Sequence, residues 1–521
     1  MHDTQTRLAL SAVPPERAEA DLLVLPVAAG DAGPVAPPPT LAVLERLGTD
    51  LAALAAGHGR LSGALDDAVL LPSYGAVAAP AVLLVGVGPD AGRSTETLRR
   101  AAAVAVAGAG RATSLATALH QAGAEDGGRG RAAALAAVAQ GGGGPRGRAA
   151  ALAAAVAEGT ALAAYRFQRH RSPPEPELAA ATLLVDGRRW LAAAEPALRR
   201  AEIAARATNL VRDLVNEPAG QLTPATLAAE AVRLARRAGL RHRVLQVPSL
   251  RRGRFGAVLA VGGASAVAPR VVELRYRPAS PAGHVALVGK GVTFDSGGLD
   301  LKRGDGMVGM KDDMAGAATV LGTMTALAEL DVRVAVTGVL PLVENMPGGS
   351  AMRAGDVVRA RNGVAIEVTN TDAEGRLILA DGLALAAEAR PDAILDLATL
   401  TGSAVVGLGP GCTAVLGNHP PLTSRLLVAA AGAGEAAYEL PLIEDYRRFL
   451  DSEVADLVNS TDQPGDAIQA ALFLREFVAG VPWVHLDIAG PASAKQARYY
   501  QPKGASGCMV RTLLAFLEGY G

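Results

Sequence analysis

The sequence predicts a two-domain α/β protein, with a smaller N-terminal α/β domain joined by a long helix to a C-terminal α/β domain built on a central mixed, largely parallel sheet. Three observations carry this expectation. The chain has 521 residues, more than a single hydrophobic core ordinarily holds. Val- and Leu-rich runs alternate with Ala-rich stretches of helical pattern, the order of elements that layers helices on a sheet. A long Ala/Leu/Arg segment from Trp190 to about Val215 has helical pattern and stands between the two series of runs.

In the first third, DLLVLPV from Asp21 and AVLLVGVG from Ala81 read as strands between Ala-rich helices. Gly141 to Pro145, GGGGP, reads as a loop between two of those helices. The segment RSPPEPE at Arg171 to Glu177 and the strand-like TLLVDG lead into the connecting helix. From Leu222 onward FGAVLAVGG, RVVELRY, HVALVGKG, VRVAVTGVLP, AIEVTN, AILDLATLTG and WVHLDIAG read as strands with helical patterns between most of them. Continuous Val-rich runs of this kind are buried on both faces of a sheet. In such sheets the chemistry gathers at the carboxyl ends of the strands.

Half of the residues are apolar, 19% are charged and the formal net charge is −1, which describes a soluble globular protein. No basic surplus calls for nucleic acid or an anionic membrane. Aromatic residues are 3% of the chain, so packing must lean on Ala, Leu and Val. The N-terminal residues hold only a short apolar run between charges and prolines, which predicts no signal peptide. Gly and Arg break every apolar stretch before the roughly 20 residues a membrane span needs. Two cysteines, Cys412 and Cys508, are too few for a disulfide framework or a cysteine zinc site, and a reducing cytoplasm fits them.

The run Gly86-x-Gly88-x-x-Ala91, with a helix start at Arg93, imitates a dinucleotide fingerprint, but no acid follows about 20 residues on to hold a ribose. It reads as a structural tight turn. Zinc-helix, nucleophile-elbow and Walker A patterns are absent, and the eight histidines are scattered singly, so a metal site must use other ligands.

Lysine is rare: five of the 50 basic residues, with none before Lys290. Three of the five, Lys290, Lys302 and Lys311, fall in one stretch that also holds Asp295 and Asp313. An amine can give up its proton where a guanidinium in practice cannot. A second acidic group, Asp372 and Glu374, ends the run AIEVTN and precedes Gly375, Arg376 and a helical pattern. Alone, this pair reads equally as an N-cap and its first-turn partner. Together with Asp295, Asp313 and Lys290 it gives four carboxylates and an amine at strand ends of one domain, and mutual repulsion would forbid that without bound cations. Two divalent ions sharing carboxylates are the economical solution.

The runs VGKGVTFDSGG, KDDMAGAA, NTDAEGRL, DLATLTG and HLDIAGPA, in this order, closely resemble the leucyl aminopeptidase, or cytosol aminopeptidase, family of two-metal exopeptidases. The resemblance covers roughly Ala204 to Gly521. It implies an N-terminal, macro-like domain over 1–188, then a linker helix (about 189–215) and a peptidase domain to residue 521. It implies that Asp295 and Glu374 bridge two divalent ions, Mn²⁺ or Zn²⁺, with Lys290 and Asp313 completing the tighter site and Asp372 the more exchangeable one. Lys302 takes the catalytic lysine position, and Arg376 that of the arginine holding a bicarbonate ion beside the attacking water. The backbone of Thr399, Leu400, Thr401 and Gly402 would receive substrate, and Met310 would wall the side-chain pocket. Peptide substrates with apolar first residues, a homohexamer and a cytoplasmic location are implied as well.

Departures from the family pattern are few. Asp312 adds an acid beside Asp313 that either pulls charge toward the exchangeable site or, the favoured reading, simply faces solvent. The segment NSTDQPGDAIQAALFL and the GCMV near Cys508 could reshape the substrate pocket while leaving the metal ligands untouched. A narrow dipeptidase, for example a cysteinyl-glycine peptidase, would share every ligand. A DNA-binding regulatory role is the reading from another class; the near-neutral charge opposes it, and Arg129, Arg131, Arg146 and Arg148 read as a solvated face.

Overall fold

The computed structural model describes residues 6–58, 61–89, 94–123 and 144–520. Ala91, Arg93, Arg129, Arg131 and Gly141 to Gly143 of the expected loop lie outside them, while Gly144 and Pro145 already belong to the helix Gly144–Ala163. The chain divides into two compact units, Met1–Arg206 with Gln496–Lys503, and Ala207–Lys495 with Gly504–Gly521. The division falls inside the helix Arg188–Asn216.

The first unit carries a sheet of β1 (Arg7–Ser11), β2 (Leu22–Gly30), β3 (Gly33–Val35), β4 (Ala68–Pro72), β5 (Ala81–Pro89), β6 (Ser114–Thr117) and β7 (Ala180–Leu184), in the order β1-β7-β6-β2-β5-β4, with β3 beside β2. The neighbours from β1 through β5 are parallel, and β3 and β4 pair antiparallel at their strands. Gly86 lies within β5, where a methyl group would stand 1.7 Å from the carbonyl oxygen of Ala64. The glycine therefore serves close packing of a strand, and the expected tight turn is not at this residue. The helix Thr95–Gly108 starts on a capping box formed by Ser94 and Thr97. Its Arg99 reaches Glu158 of the helix Gly144–Ala163 at 2.7 Å, with both side chains buried, so one pair satisfies two charges that neither helix could bury alone.

The second unit is built on a larger sheet: β8 (Arg241–Leu245), β9 (Arg270–Tyr276), β10 (His284–Gly289), β11 (Gly291–Asp295), β12 (Ala335–Asn345), β15 (Ala393–Ala398), β16 (Thr413–Gly417), β17 (Ala437–Glu439) and β19 (Trp483–Asp487). The order is β17-β16-β19-β15-β10-β12-β9-β8, with β11 beside β12. Strands β19, β15, β10, β12 and β11 run parallel; β9 and β16 turn antiparallel outside them. A separate sheet joins β13 (Val357–Arg359), β14 (Ala365–Glu367) and β18 (Leu457–Val458). The core between sheet and helices is made largely of Val, Leu, Ile and Ala around Phe473, Phe477 and Trp483, as the low aromatic content requires.

Two expected strands differ. FGAVLAVGG forms the short helix Gly256–Val261 and a following 3-10 turn. The Asp381 carboxylate accepts the Val258 N–H at 2.9 Å, satisfying a donor of the helix start from outside the segment, which no local pattern can reveal. AIEVTN is extended only over Ala365–Glu367 and belongs to the small sheet. Residues 368–373 then form an irregular loop that ends at the helix Glu374–Glu388. Among the described residues no helix is long and apolar enough to cross a membrane.

Candidate metal centre

Two of the parallel strands bring Lys290 and Asp295 to a point where a turn, a loop and a helix start bring Asp313, Asp372 and Glu374. Lys290 is the single residue between β10 and β11; its N–H donates to Leu397 O at 2.9 Å and its carbonyl accepts from Ala317 N at 2.8 Å. Asp295 ends β11 and pairs in register with Asn345, which ends β12. Asp313 follows the 3-10 turn Met310–Asp312 and precedes the helix Ala315–Ala326. Asp372 stands in the loop before the helix Glu374–Glu388. That helix is capped at Ala373 with no side-chain cap bond, so Asp372 is not the N-cap that its position allows.

These groups meet. Lys290 Nζ lies 2.6 Å from Asp313 Oδ1 and 3.0 Å from Glu374 Oε1, and it donates to Thr399 O at 2.9 Å. Lys302 Nζ lies 2.7 Å from both Asp295 Oδ2 and Asp372 Oδ1. Carboxylate oxygens of Asp295, Asp372 and Glu374 all fall within 4.8 Å of one another. Lys311 leaves the cluster and donates to the carbonyl of Asn216, a structural anchor.

Burial pushes the Glu374 carboxyl up to about 7 and Asp313 well above the carboxylate range; the Lys290 ammonium opposes this and Asp295 adds to it. Asp372 is raised by the same loss of water. Burial works against the charge on Lys290 and Lys302, but the carboxylates around them outweigh it and hold both amines above their usual range. Opposite charges drawn this close, with several partly desolvated, form a site whose field is large and fixed. Asp312 does not simply face solvent. It is partly buried, which raises its carboxyl, and it bonds to Ser493.

The remaining expected residues surround the cluster. Thr399 Oγ1 donates to Asp313 Oδ1 at 2.7 Å. The N–H groups of Leu400 and Thr401 donate to the two oxygens of Asp487 at 3.1 and 3.0 Å, and Gly402 opens the helix Gly402–Leu408 with Thr401 as its cap. Met310, half-buried, begins the turn that ends at Asp313. Arg376 is buried in the first turn of the Glu374 helix, where Nη1 donates to Asn459 O at 2.8 Å and Nη2 to Asp466 Oδ1 at 2.7 Å.

Four further residues had no assignment from the sequence. Asn345 Nδ2 donates to Asp295 Oδ1 at 2.9 Å and to Thr371 O at 3.0 Å, with Glu374 Oε2 at 3.5 Å. It thereby orients one acid and steadies the loop bearing another. Asp487 fixes the backbone at 400–401, while Asn459 and Asp466 hold Arg376. The available signal was a polar residue closing an apolar run: Asn345 after LPLVE and Asp487 within WVHLD. For Asn459 and Asp466, in a segment of mixed polar residues, there was none.

Residues 209–514 match the catalytic domain of the cytosol aminopeptidase family, and residues 32–143 match its N-terminal domain. The chain is 40% identical over 543 residues to a protein of Micrococcus luteus named "Probable cytosol aminopeptidase", covering 99% of each. A Streptomyces coelicolor protein of the same name is 39% identical over 535 residues, 98% of each. Among solved structures, the bottromycin maturation enzyme BotP in complex with Mn superposes with a TM-score of 0.82 at 40% identity, over 96% of this chain and 99% of that one. A mutant of tomato leucine aminopeptidase gives 0.84 at 31% identity, over 99% and 97%.

Proposed function

Since the chain belongs to the cytosol aminopeptidase family and is a metal-dependent aminopeptidase, a hydrolase, we propose that it removes apolar, leucine-like first residues from peptides, using two divalent ions held by Lys290, Asp295, Asp313, Asp372 and Glu374. The observation that carries this reading is the meeting of those residues around Lys290 and Asp295 at the ends of β10 and β11, with Asp313 Oδ2 buried and without a hydrogen-bond partner. A buried carboxylate oxygen left bare is costly unless a cation takes it. The donor set, carboxylate oxygens and one amine, suits Mn²⁺ or Zn²⁺, and BotP, the neighbour solved with Mn, supports manganese.

Asp295 and Glu374, central in the cluster, would be shared between the ions; Lys290 and Asp313 would complete one site and Asp372, with its own carbonyl, the other. Bound ions would supply an activated water and a grip on the substrate's free α-amine. To ligate, Lys290 gives up the proton that its carboxylate neighbours otherwise favour. Lys302 keeps its proton and stabilises the oxyanion that forms when water adds to the peptide carbonyl. Substrate would be received along the backbone of Thr399, Leu400, Thr401 and Gly402, of which Asp487 holds the Leu400 and Thr401 N–H groups. The segment bearing Lys302 exposes Leu299, Leu301 and Val308, and with Met310 this apolar surface supports the preference for apolar first residues. Bicarbonate would sit on Arg376, whose guanidinium gives one N–H to Asn459 O and one to Asp466 Oδ1 and has further N–H donors. A homohexamer in the cytoplasm remains part of the proposal, and the mass of the particle in solution tests the assembly.

Hydrolysis of leucine p-nitroanilide and a dipeptide panel by chelator-stripped protein, before and after adding Mn²⁺ or Zn²⁺, tests the reading. Metal-restored release of the first residue supports it, and silence with metals bound sinks it. A narrower peptidase is the second reading, favoured by the likeness to a named maturation enzyme; cleavage confined to one or two members of the panel would select it.

A further inference from the structure

We propose that His485 is a positioning residue for substrate binding: paired with Asp396 and set on the same strand face as Asp487, its imidazolium balances the charge of Asp487, the carboxylate that holds the backbone of Leu400 and Thr401. The proposal rests on the aminopeptidase reading, in which that backbone receives substrate, and gives a role to a buried group that the reaction has not yet used.

Alternate residues of a strand share a face, so Trp483, His485 and Asp487 of β19 stand in one row. Asp396 of β15 lies in register beside His485. Its carboxylate takes both neighbours, His485 Nδ1 on Oδ1 and Trp483 Nε1 on Oδ2, each at 2.6 Å. A carboxylate only accepts, so the imidazole carries a hydrogen on Nδ1. The side chains of His485 and Asp396 are 1% and 0% exposed. Nε2, the other ring nitrogen, is buried and has no hydrogen-bond partner, so Asp396 alone fixes the ring.

The charged groups facing the ring are Asp396, Asp487 on its own strand and Arg376 on the helix Glu374–Glu388. Burial works against a charge on the imidazole and Arg376 opposes it too, but the two carboxylates outweigh them and raise the ring above its usual range. The benefit is mutual. Burial pushes the Asp487 carboxyl up, and His485 is the main influence that draws it back.

Asp487 carries that charge to the site. It accepts the N–H groups of Leu400 at 3.1 Å and Thr401 at 3.0 Å, the Thr401 hydroxyl at 2.7 Å and the Ala489 N–H at 3.1 Å. Four donors on two oxygens call for the ionised form, because a proton on the acid would turn one acceptor into a donor. The preceding residue, Thr399, is tied from the opposite side: its carbonyl accepts from Lys290 Nζ at 2.9 Å and its hydroxyl donates to Asp313 Oδ1 at 2.7 Å. The segment is thus held at one end by groups of the metal centre and at the other by Asp487. Only the second hold depends on His485.

The test is steady-state kinetics of Mn²⁺-loaded full-length protein on leucine p-nitroanilide for His485→Asn, Asp487→Asn and the double variant. His485→Asn keeps an N–H for Asp396 and removes the charge. It is expected to raise KM about 10–100-fold, the worth of hydrogen bonds to a charged group. Its kcat should change less than about threefold, as when binding common to substrate and transition state is lost, with metal content at the wild-type value. In the double variant KM should be no higher than in Asp487→Asn alone, because the two residues act through one interaction. An unchanged KM, a loss of metal, or effects that multiply in the double variant would each overturn the proposal. Should His485→Asn fail to fold, nitrogen NMR of the wild type with isotope-labelled histidines decides it. One ring is expected to keep protons on both nitrogens at about pH 8, where a free imidazole has lost one, and neutral rings throughout would overturn the proposal. A wild type silent on every peptide with metals bound would instead remove the reaction on which it rests.

Discussion

A methyl group on Gly375 would stand 2.5 Å from Lys290 Cε and 2.7 Å from its Nζ. The glycine before Arg376 therefore makes room for the amine at the centre of the cluster. Gly375→Ala should leave the fold intact, since alanine is the better helix former by about 1 kcal/mol, yet push Lys290 off its partners. The expected outcome is a normal melting temperature with metal content after dialysis, and activity, both reduced at least about tenfold, in line with losses when ligand positioning fails. A variant that keeps its metals and its rate would show that Lys290 is not a ligand.

Lys302 should separate from Asp295 and Glu374, the acids proposed to be shared between two ions. Lys302→Ala removes a cation placed at developing charge, so kcat should fall about 10²–10³-fold while metal content, measured by elemental analysis, stays near the wild-type value. Asp295→Asn or Glu374→Gln should instead lose metal and activity together. Metal loss in Lys302→Ala, or full activity in either acid variant, would contradict this division of roles.

Asn345 touches Asp295 and reaches Glu374 through one amide. Asn345→Leu should weaken metal binding about 10–100-fold, the usual cost of removing a group that orients a ligand. A metal titration followed by activity reads this directly, and an unchanged midpoint would reduce Asn345 to a packing residue.

His120 gives the first unit an acid limit. Burial alone lowers its ring to about 4 from 6.5, and Nδ1 has no partner. A folded value below the unfolded one means that its contribution is complete above pH 6.5 and is lost as pH falls toward 4. The difference corresponds to about 3 kcal/mol at roughly 1.4 kcal/mol per unit. His120→Gln should flatten that part of the curve in denaturant unfolding measured between pH 7 and 4, and an unaltered slope would place the acid sensitivity elsewhere.

The residues that chemistry singles out were legible before the fold. Lys290 stood out in a chain poor in lysine, and Asp372 and Glu374 as paired acids ahead of a helix. The parallel sheet was legible too, because runs such as HVALVG and AILDLA are apolar at all but one position, so apolar residues fall on both faces. FGAVLAVGG was not, since a short apolar run carries no period that separates strand from buried helix, and what decides it is a carboxylate, Asp381, more than a hundred residues away. Asn345, Asn459 and Asp466 were hidden for a related reason. Each acts through a partner distant in sequence, and a single polar letter does not announce whom it will meet.

Lys290 is bound through its own peptide groups to Leu397 on one side and Ala317 on the other, so the coordinating scaffold has no hinge of its own. Mutational tolerance should accordingly be uneven across the site. A library randomised at 290–295 would return mostly dead clones, because the backbone there is already committed to a neighbouring strand or helix.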